Sequence, residues 1–181
     1  MRKVIAATNI TIDGVNNHTE GLPDDEIHDH YTALLNQSET ILYGRKTYEL
    51  MLYWRDLLKH PAGKKSFDDF AIAINRIEKI VFSHTLKDTD WPSAKLVRTS
   101  PVDLIKKLRQ QKGCDILVGS RSIIIQLLSA NLINELQLCI HPAIAGTGAQ
   151  LFTEINFRKM FHLSHTKTFK KGAVLLCYSP L

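Results

Sequence analysis

Three places in the chain put small residues, hydroxyls and cations directly behind a short apolar run. They are Gly44-Arg45-Lys46-Thr47 after ILY, Ser83-His84 after KIVF, and Gly119-Ser120-Arg121-Ser122 after DILV, whose last residue is Val118. Such sets bind anions. Glycine lets a ligand approach the backbone, the first N–H groups of a following helix face negative charge, and the side chains add donors. In open α/β sheets ligands lie beyond the carboxyl ends of strands, so three such junctions describe one ligand with more than one phosphate laid across a sheet edge. A dinucleotide meets that description.

Competing motifs are missing. No GxxxxGK[ST] loop occurs and no GxGxxG follows the first apolar run, which argues against a P-loop NTPase and an ordinary Rossmann domain; neither a GxSxG elbow nor an HExxH pair is present. His28, Asp29 and His30 form a compact string that invites a metal reading. On a helix, however, positions i and i+2 point about 200° apart, so these two histidines cannot share one ion and no metal is expected.

The elements that must carry these residues follow from periodicity. Val4 to Ala7 reads as a buried strand, and the polar stretch DGVNNHTEGLP after it as a loop. Pro23 suits a helix start, Asp24, Asp25 and Glu26 suit its positive end, and Ile27, Tyr31, Leu34 and Leu35 share one face. A strand at 40–43, helices at about 45–52 and 66–75, and a strand at 79–82 come next. After the strand KLVR, Ser100, Pro101 and Asp103 mark a helix start, and DILVG leads into a helix through Ile123, Leu127 and Leu128. From there the rhythm changes to three strands, at 135–140, about 160–169 and 172–178, with no long helix between them. The alternation and the strand-rich tail predict an α/β sheet, parallel at first and extended by antiparallel strands.

The chain has 181 residues, enough for one domain with a substantial core, and its 44% hydrophobic and 23% charged residues are those of a soluble globular protein. No apolar run approaches a membrane span, and Asn9, Thr11 and Asp13 interrupt the N-terminus before a signal-peptide core forms. Cys114, Cys139 and Cys177 are far apart beside apolar runs, which predicts buried, reduced thiols and a cytoplasmic protein. The net charge of +5 is uneven: residues 1–90 hold 11 Lys/Arg against 14 Asp/Glu, residues 91–181 hold 12 against 4. Lys106, Lys107, Arg109 and Lys112 alternate with Val102, Ile105 and Leu108 as a solvated helix face does, and no stacking aromatics accompany them, so nucleic acid is not the expected partner.

With these residues in view, the chain resembles the dihydrofolate reductase superfamily, and more closely single-domain bacterial proteins similar to the reductase domain of the riboflavin-biosynthesis deaminase/reductase. The resemblance runs from KVIAATNITIDG through ILYGRKTYE, IVFSHTL and DILVGSRSIIIQLL to ELQLCIHPAIAGTGAQLF. It implies a three-layer fold with a central, mostly parallel mixed sheet, helices on both faces and antiparallel C-terminal strands. It also implies NADPH as cofactor. Gly44, Arg45, Lys46 and Thr47 would lie at the adenosine and pyrophosphate side, Ser83 and His84 near the ribose and its 2′-phosphate, and Val118 to Ser122 over the pyrophosphate. Ala7 and the loop from Asp13 through Gly14 to Asn16 would flank the nicotinamide. Ser120 stands where a second glycine is common.

The expected reaction is hydride transfer to a C=N or C=O carbon of a small heterocycle, a pteridine, pyrimidine or ribosylaminopyrimidine. Folate-reducing relatives hold the pterin with a carboxylate on the first helix; ungapped counting back from Gly44 lands on His28, beside Asp29. Asp29 and then His28 are therefore the candidates for orienting substrate or relaying a proton. The resemblance further implies a homodimer through the C-terminal strands, with no deaminase unit, since no PCxxC occurs to complete a deaminase signature. Two other classes stay open: a nucleotide-binding protein without chemistry, and an RNA-binding scaffold using the basic second half.

Overall fold

A computed structural model describes residues 1–17, 21, 23–153 and 155–181. Its elements run β1 (Val4–Thr11), α1 (Asp25–Gln37), β2 (Ser38–Gly44), α2 (Arg45–Leu57), α3 (Lys65–Arg76), β3 (Glu78–Phe82), β4 (Ala94–Val97), α4 (Pro101–Leu108), β5 (Asp115–Val118), α5 (Arg121–Ser129), β6 (Glu135–His141), β7 (Phe161–Thr168) and β8 (Val174–Pro180). The polar loop expected at 13–23 includes residues 18–20 and 22, which lie outside the described residues. No helix is long and apolar enough to cross a membrane.

All eight strands form one sheet, in the order β4-β3-β2-β5-β1-β6-β8-β7. The first five ladders are parallel, and β6 to β8 and β8 to β7 are antiparallel, as the change of rhythm after α5 predicts. Period-two alternation divides the core. Val4, Ala6, Leu42, Ile116 and Val118 face α4 and α5. Ile5, Ile41, Tyr43, Val81 and Leu117 face α1 to α3. Helices thus cover both faces, and the strands between them are apolar on both sides, as buried parallel strands must be.

Local chemistry sets several boundaries. Asp24, read from the sequence as a first-turn residue, is the N-cap of α1: its Oδ1 accepts from the Ile27 N–H at 3.0 Å. The acidic start of α1 also holds the basic turn between β7 and β8. Glu26 accepts from the Lys170 N–H at 3.1 Å and pairs with its ammonium at 3.0 Å, and Asp24 accepts from the Lys171 N–H at 3.3 Å. Ser100 does cap α4 by position, but its side chain makes no cap bond. Helix α2 runs to Leu57, past the expected end near 52, because Trp54 packs on Phe67 and Phe70 of α3. The expectation of three buried thiols fails at Cys114, which is exposed in the loop before β5; Cys139 and Cys177 are buried.

Candidate cofactor and substrate site

Strands β2, β5 and β1 are neighbours and parallel, so their carboxyl ends form a row. Gly44 ends β2 and N-caps α2; Ser120 follows β5 and N-caps α5; neither helix has a side-chain cap. The first N–H groups of both helices therefore have no intrahelical partner. Both helix starts open on one cleft of about 710 Å3.

Close packing joins the two junctions. The Gly44 N–H donates to Ser120 Oγ at 2.8 Å, and a Cβ on Gly44 would lie 3.5 Å from Ser122 Oγ. A Cβ on Gly119 would come within 3.1 Å of the Tyr43 ring, so glycine is needed there for contact and not for a special φ. Ser120, 2% exposed, thus neither crowds the cleft nor is a stray departure: its hydroxyl pins the β2 end to the β5 end. Ser120→Ala leaves the Gly44 N–H without its acceptor, and urea denaturation is expected to show a loss of about 1–2 kcal/mol.

Most of the residues expected at the cofactor do line this cleft: Ala7, Gly44 to Thr47 and Val118 to Ser122. Arg45 is half-exposed and, among the described residues, pairs with Glu49 at 3.6 Å, so its guanidinium can reach a ligand. Arg121 is more committed: its Nε donates to Gln150 O at 2.7 Å and its Nη2 to Thr153 Oγ1 at 3.0 Å, tying α5 to the loop after β6.

Ser83 and His84 lie outside the lining, where Phe82 stands instead. The Ser83 hydroxyl accepts from the Leu86 N–H at 2.9 Å, a local turn, and Arg98 donates to the Ser83 and His84 carbonyls at 3.2 and 3.1 Å. Asp13 and Gly14 are also outside it. The Asp13 carboxylate accepts from Thr11 Oγ1 and from the Ala145 and Gly146 N–H groups at 3.1 and 2.8 Å, so it anchors the loop after β6; those bonds hold its pKa down to about 2. Gly14 supplies the positive φ, 81°, of the same turn.

The expected catalytic pair is not brought to the cleft. Asp29 is exposed on α1. His28 is buried on another wall: its Nδ1–H donates to Asp24 O at 2.9 Å, and its ring packs 4.3 Å from Phe67 and 5.5 Å from Trp54. Burial lowers its pKa. Both residues flank the helix face that does line the cleft, Tyr31, Leu34 and Leu35, and the phase of the helix points them away. His30 faces β6, where Nε2 lies 2.9 Å from Gln137 Oε1.

What the sequence reading missed is a set of neutral polar groups on the β1 side. Asn9 Oδ1 accepts from Tyr31 OH at 3.1 Å and from His141 Nε2–H at 3.0 Å. Asn16 Nδ2 donates to Thr8 Oγ1 and to Asn9 O, both at 2.8 Å. Burial raises the Tyr31 phenol well above its ordinary range and lowers His141, so both are neutral near pH 7. One signal was available: Asn9 continues the strand face of Ile5 and Ala7, and a polar side chain on the core side of a strand demands partners.

Beyond these groups the cleft extends between the sheet and helices α1 to α3. That arm is walled by Leu34, Leu35, Ile41, Met51, Phe70 and Ile74, and no Asp, Glu or His lines the cleft among the described residues.

The comparisons agree with this architecture. The RibD C-terminal domain model matches residues 2–175. A Bacillus subtilis (strain 168) protein, the uncharacterized YyaP, is 30% identical over 181 residues, covering 98% of this chain and 94% of its own. Among solved structures, a pyrimidine reductase-like protein of Corynebacterium diphtheriae superposes with a TM-score of 0.73 at 16% identity, over 99% of this chain and 92% of that one. A Thermotoga maritima diaminohydroxyphosphoribosylaminopyrimidine deaminase/5-amino-6-(5-phosphoribosylamino)uracil reductase gives 0.68 at 15% identity, over 99% of this chain and 57% of that one. At these identities the solved structures establish the shared fold, while the family model runs from just before β1 to the start of β8: the chain belongs to the RibD C-terminal domain family.

Proposed function

We propose that the protein is an NADPH-dependent reductase that delivers hydride to a C=N or C=O carbon of a small pteridine- or pyrimidine-like heterocycle. One observation carries this reading: two helix starts without side-chain caps, with Arg45 and Lys46 beside them, open on the same cleft that continues over Ala7 into an apolar arm. The residues present fit a dinucleotide. Paired helix starts and cations suit a pyrophosphate, and Arg45 can grip a 2′-phosphate with paired hydrogen bonds.

When bound, the nicotinamide supplies the hydride. The chain's own residues bind and orient. Ala7 gives the cleft a small side chain on β1, Asn9 is held in one orientation by Tyr31 and His141, and the apolar arm excludes water from the reacting ring. No carboxylate or imidazole lines the cleft among the described residues, and a water entering it can supply the proton. The same observation favours a second reading, a protein that binds NADPH without chemistry; it differs in that no heterocycle would oxidise the bound cofactor. The exposed edge strand β7 is the surface the expected homodimer would use.

Titration of nicotinamide fluorescence tests the cofactor. NADPH is expected to bind in the micromolar range, with NADH weaker by roughly 2 kcal/mol, most of that difference disappearing in Arg45→Ala. Binding of neither nucleotide at hundreds of micromolar would sink the reductase reading.

A further inference from the structure

The cleft has two chemically different halves. Its cations, Arg45, Lys46 and Arg121, all stand at the starts of α2 and α5, which the dinucleotide reading above assigns to cofactor phosphates. The other half, over the end of β1 and beneath α1 to α3, has no lining Lys or Arg at all among the described residues. A phosphate there would give up water for hydrocarbon and find no counter-charge.

That half nevertheless offers hydrogen bonds of a definite pattern. Asn9 Oδ1 is taken by Tyr31 and His141, so its carboxamide has N–H groups left to donate. Both Asn16 Nδ2 bonds go to Thr8 and to the Asn9 carbonyl, so its Oδ1 is left to accept. The two asparagines are neighbours lining the cleft, and a donor beside an acceptor matches the C=O and N–H of a lactam edge. Deeper in, Leu34, Met51 and Phe70, backed by Leu35 and Ile74, give a ring body only apolar contacts.

Resting on the reductase reading, we propose that the substrate is a neutral, phosphate-free planar heterocycle, whose lactam edge is read by Asn9 and Asn16 while its apolar body fills the arm beneath α1 to α3. Ring methyl groups or a fused ring then strengthen binding, whereas a phosphorylated side chain weakens it. This separates the protein from enzymes whose substrate is held by its phosphate.

Calorimetric titration of the wild-type protein, saturated with NADPH and in parallel without it, decides the matter with 8-ribityllumazine, its 5′-phosphate and the 6,7-dimethyl analogue. The unphosphorylated lumazine is expected to bind at least tenfold tighter than its phosphate, its affinity changing less than twofold between 50 and 500 mM salt, and the dimethyl analogue severalfold tighter again. Equal or tighter binding of the phosphate, or no binding of any member at millimolar concentration, overturns the proposal. Phe70→Ala is expected to weaken the lumazine about tenfold and leave NADPH unchanged; equal weakening of both overturns the division of the cleft. Failure of NADPH alone to bind defeats the reductase reading instead, and the lumazine series against the unsaturated protein still decides this inference.

Discussion

The Asn9→Asp protein is expected to fold with a melting temperature close to wild type while its kcat/KM falls about 100-fold, the equivalent of about 2.7 kcal/mol of transition-state binding. The substitution is isosteric. An aspartate oxygen still accepts from Tyr31 OH and His141 Nε2–H, and both bonds become charge-assisted. What disappears is the donating amide, replaced by an anion facing a substrate carbonyl. The site's polar pattern is thereby inverted, and a site built to donate rejects a ligand it can only repel. Following NADPH oxidation at 340 nm with a lumazine-type substrate, alongside thermal unfolding, separates the two effects. A kcat/KM within threefold of wild type would show that Asn9 serves the fold alone.

The second large effect concerns Lys79, which is 0% exposed at the start of β3. Its Nζ donates to Ile77 O and Ser93 Oγ, both at 2.7 Å, and more weakly to Asn75 O at 3.4 Å, while the Trp91 ring lies 4.2 Å from Nζ. Asn75 and Ile77 end α3, so the buried Lys79 Nζ closes the last turn of that helix. Burial lowers its pKa to about 7. An unfolded lysine keeps its proton to ~10.4, so between pH 7 and 9 the unfolded state binds more protons and stability rises with pH, by roughly 2 kcal/mol. Lys79→Met removes the donor and leaves Ile77 O with one partner fewer. It is expected to cost about 2 kcal/mol at pH 9, or about 4–8 °C in Tm.

Because the variant also loses the slope, the gap between the two proteins should narrow at pH 7. The buried thiols Cys139 and Cys177, raised by burial to about 12 and about 11, oppose the trend above pH 8.5 in both proteins and cancel in the difference. Parallel pH profiles would mean that Lys79 titrates as an exposed lysine does.

Much of this architecture is legible in the amino-acid sequence because it depends on neighbours. Short apolar runs such as KVIAA and period-3.6 sets such as Ile27, Tyr31, Leu34 and Leu35 mark thirteen elements whose order the structure keeps. Gly44 and Ser120 sit at strand-to-helix junctions, and a helix start presents N–H groups whatever surrounds it. That is why these two junctions were expected side by side at one cleft.

The other half was invisible for the same reason. Asn9 meets Tyr31 22 positions away and His141 132 positions away, and only the placement of β1 between β5 and β6 brings them together. Ser83 looked equivalent to Gly44 and Gly119 because it too ends an apolar run, yet the turn that follows β3 uses its hydroxyl internally. Asp29 and His28 looked catalytic by counting, and the rotation of α1 against β1 decided that Tyr31 faces the cleft in their place. Lys79, a cation in a run that ought to begin at the surface, is closed over by Trp91 and Ser93 from the next connection. By itself the sequence determined the elements, the layered fold and the strand-to-helix junctions that line the cleft, since each is set by residues a few positions apart. Which side chains meet in the substrate arm was decided only by the tertiary structure, because strand order and helix phase bring distant positions within hydrogen-bond reach, and no local pattern encodes that distance.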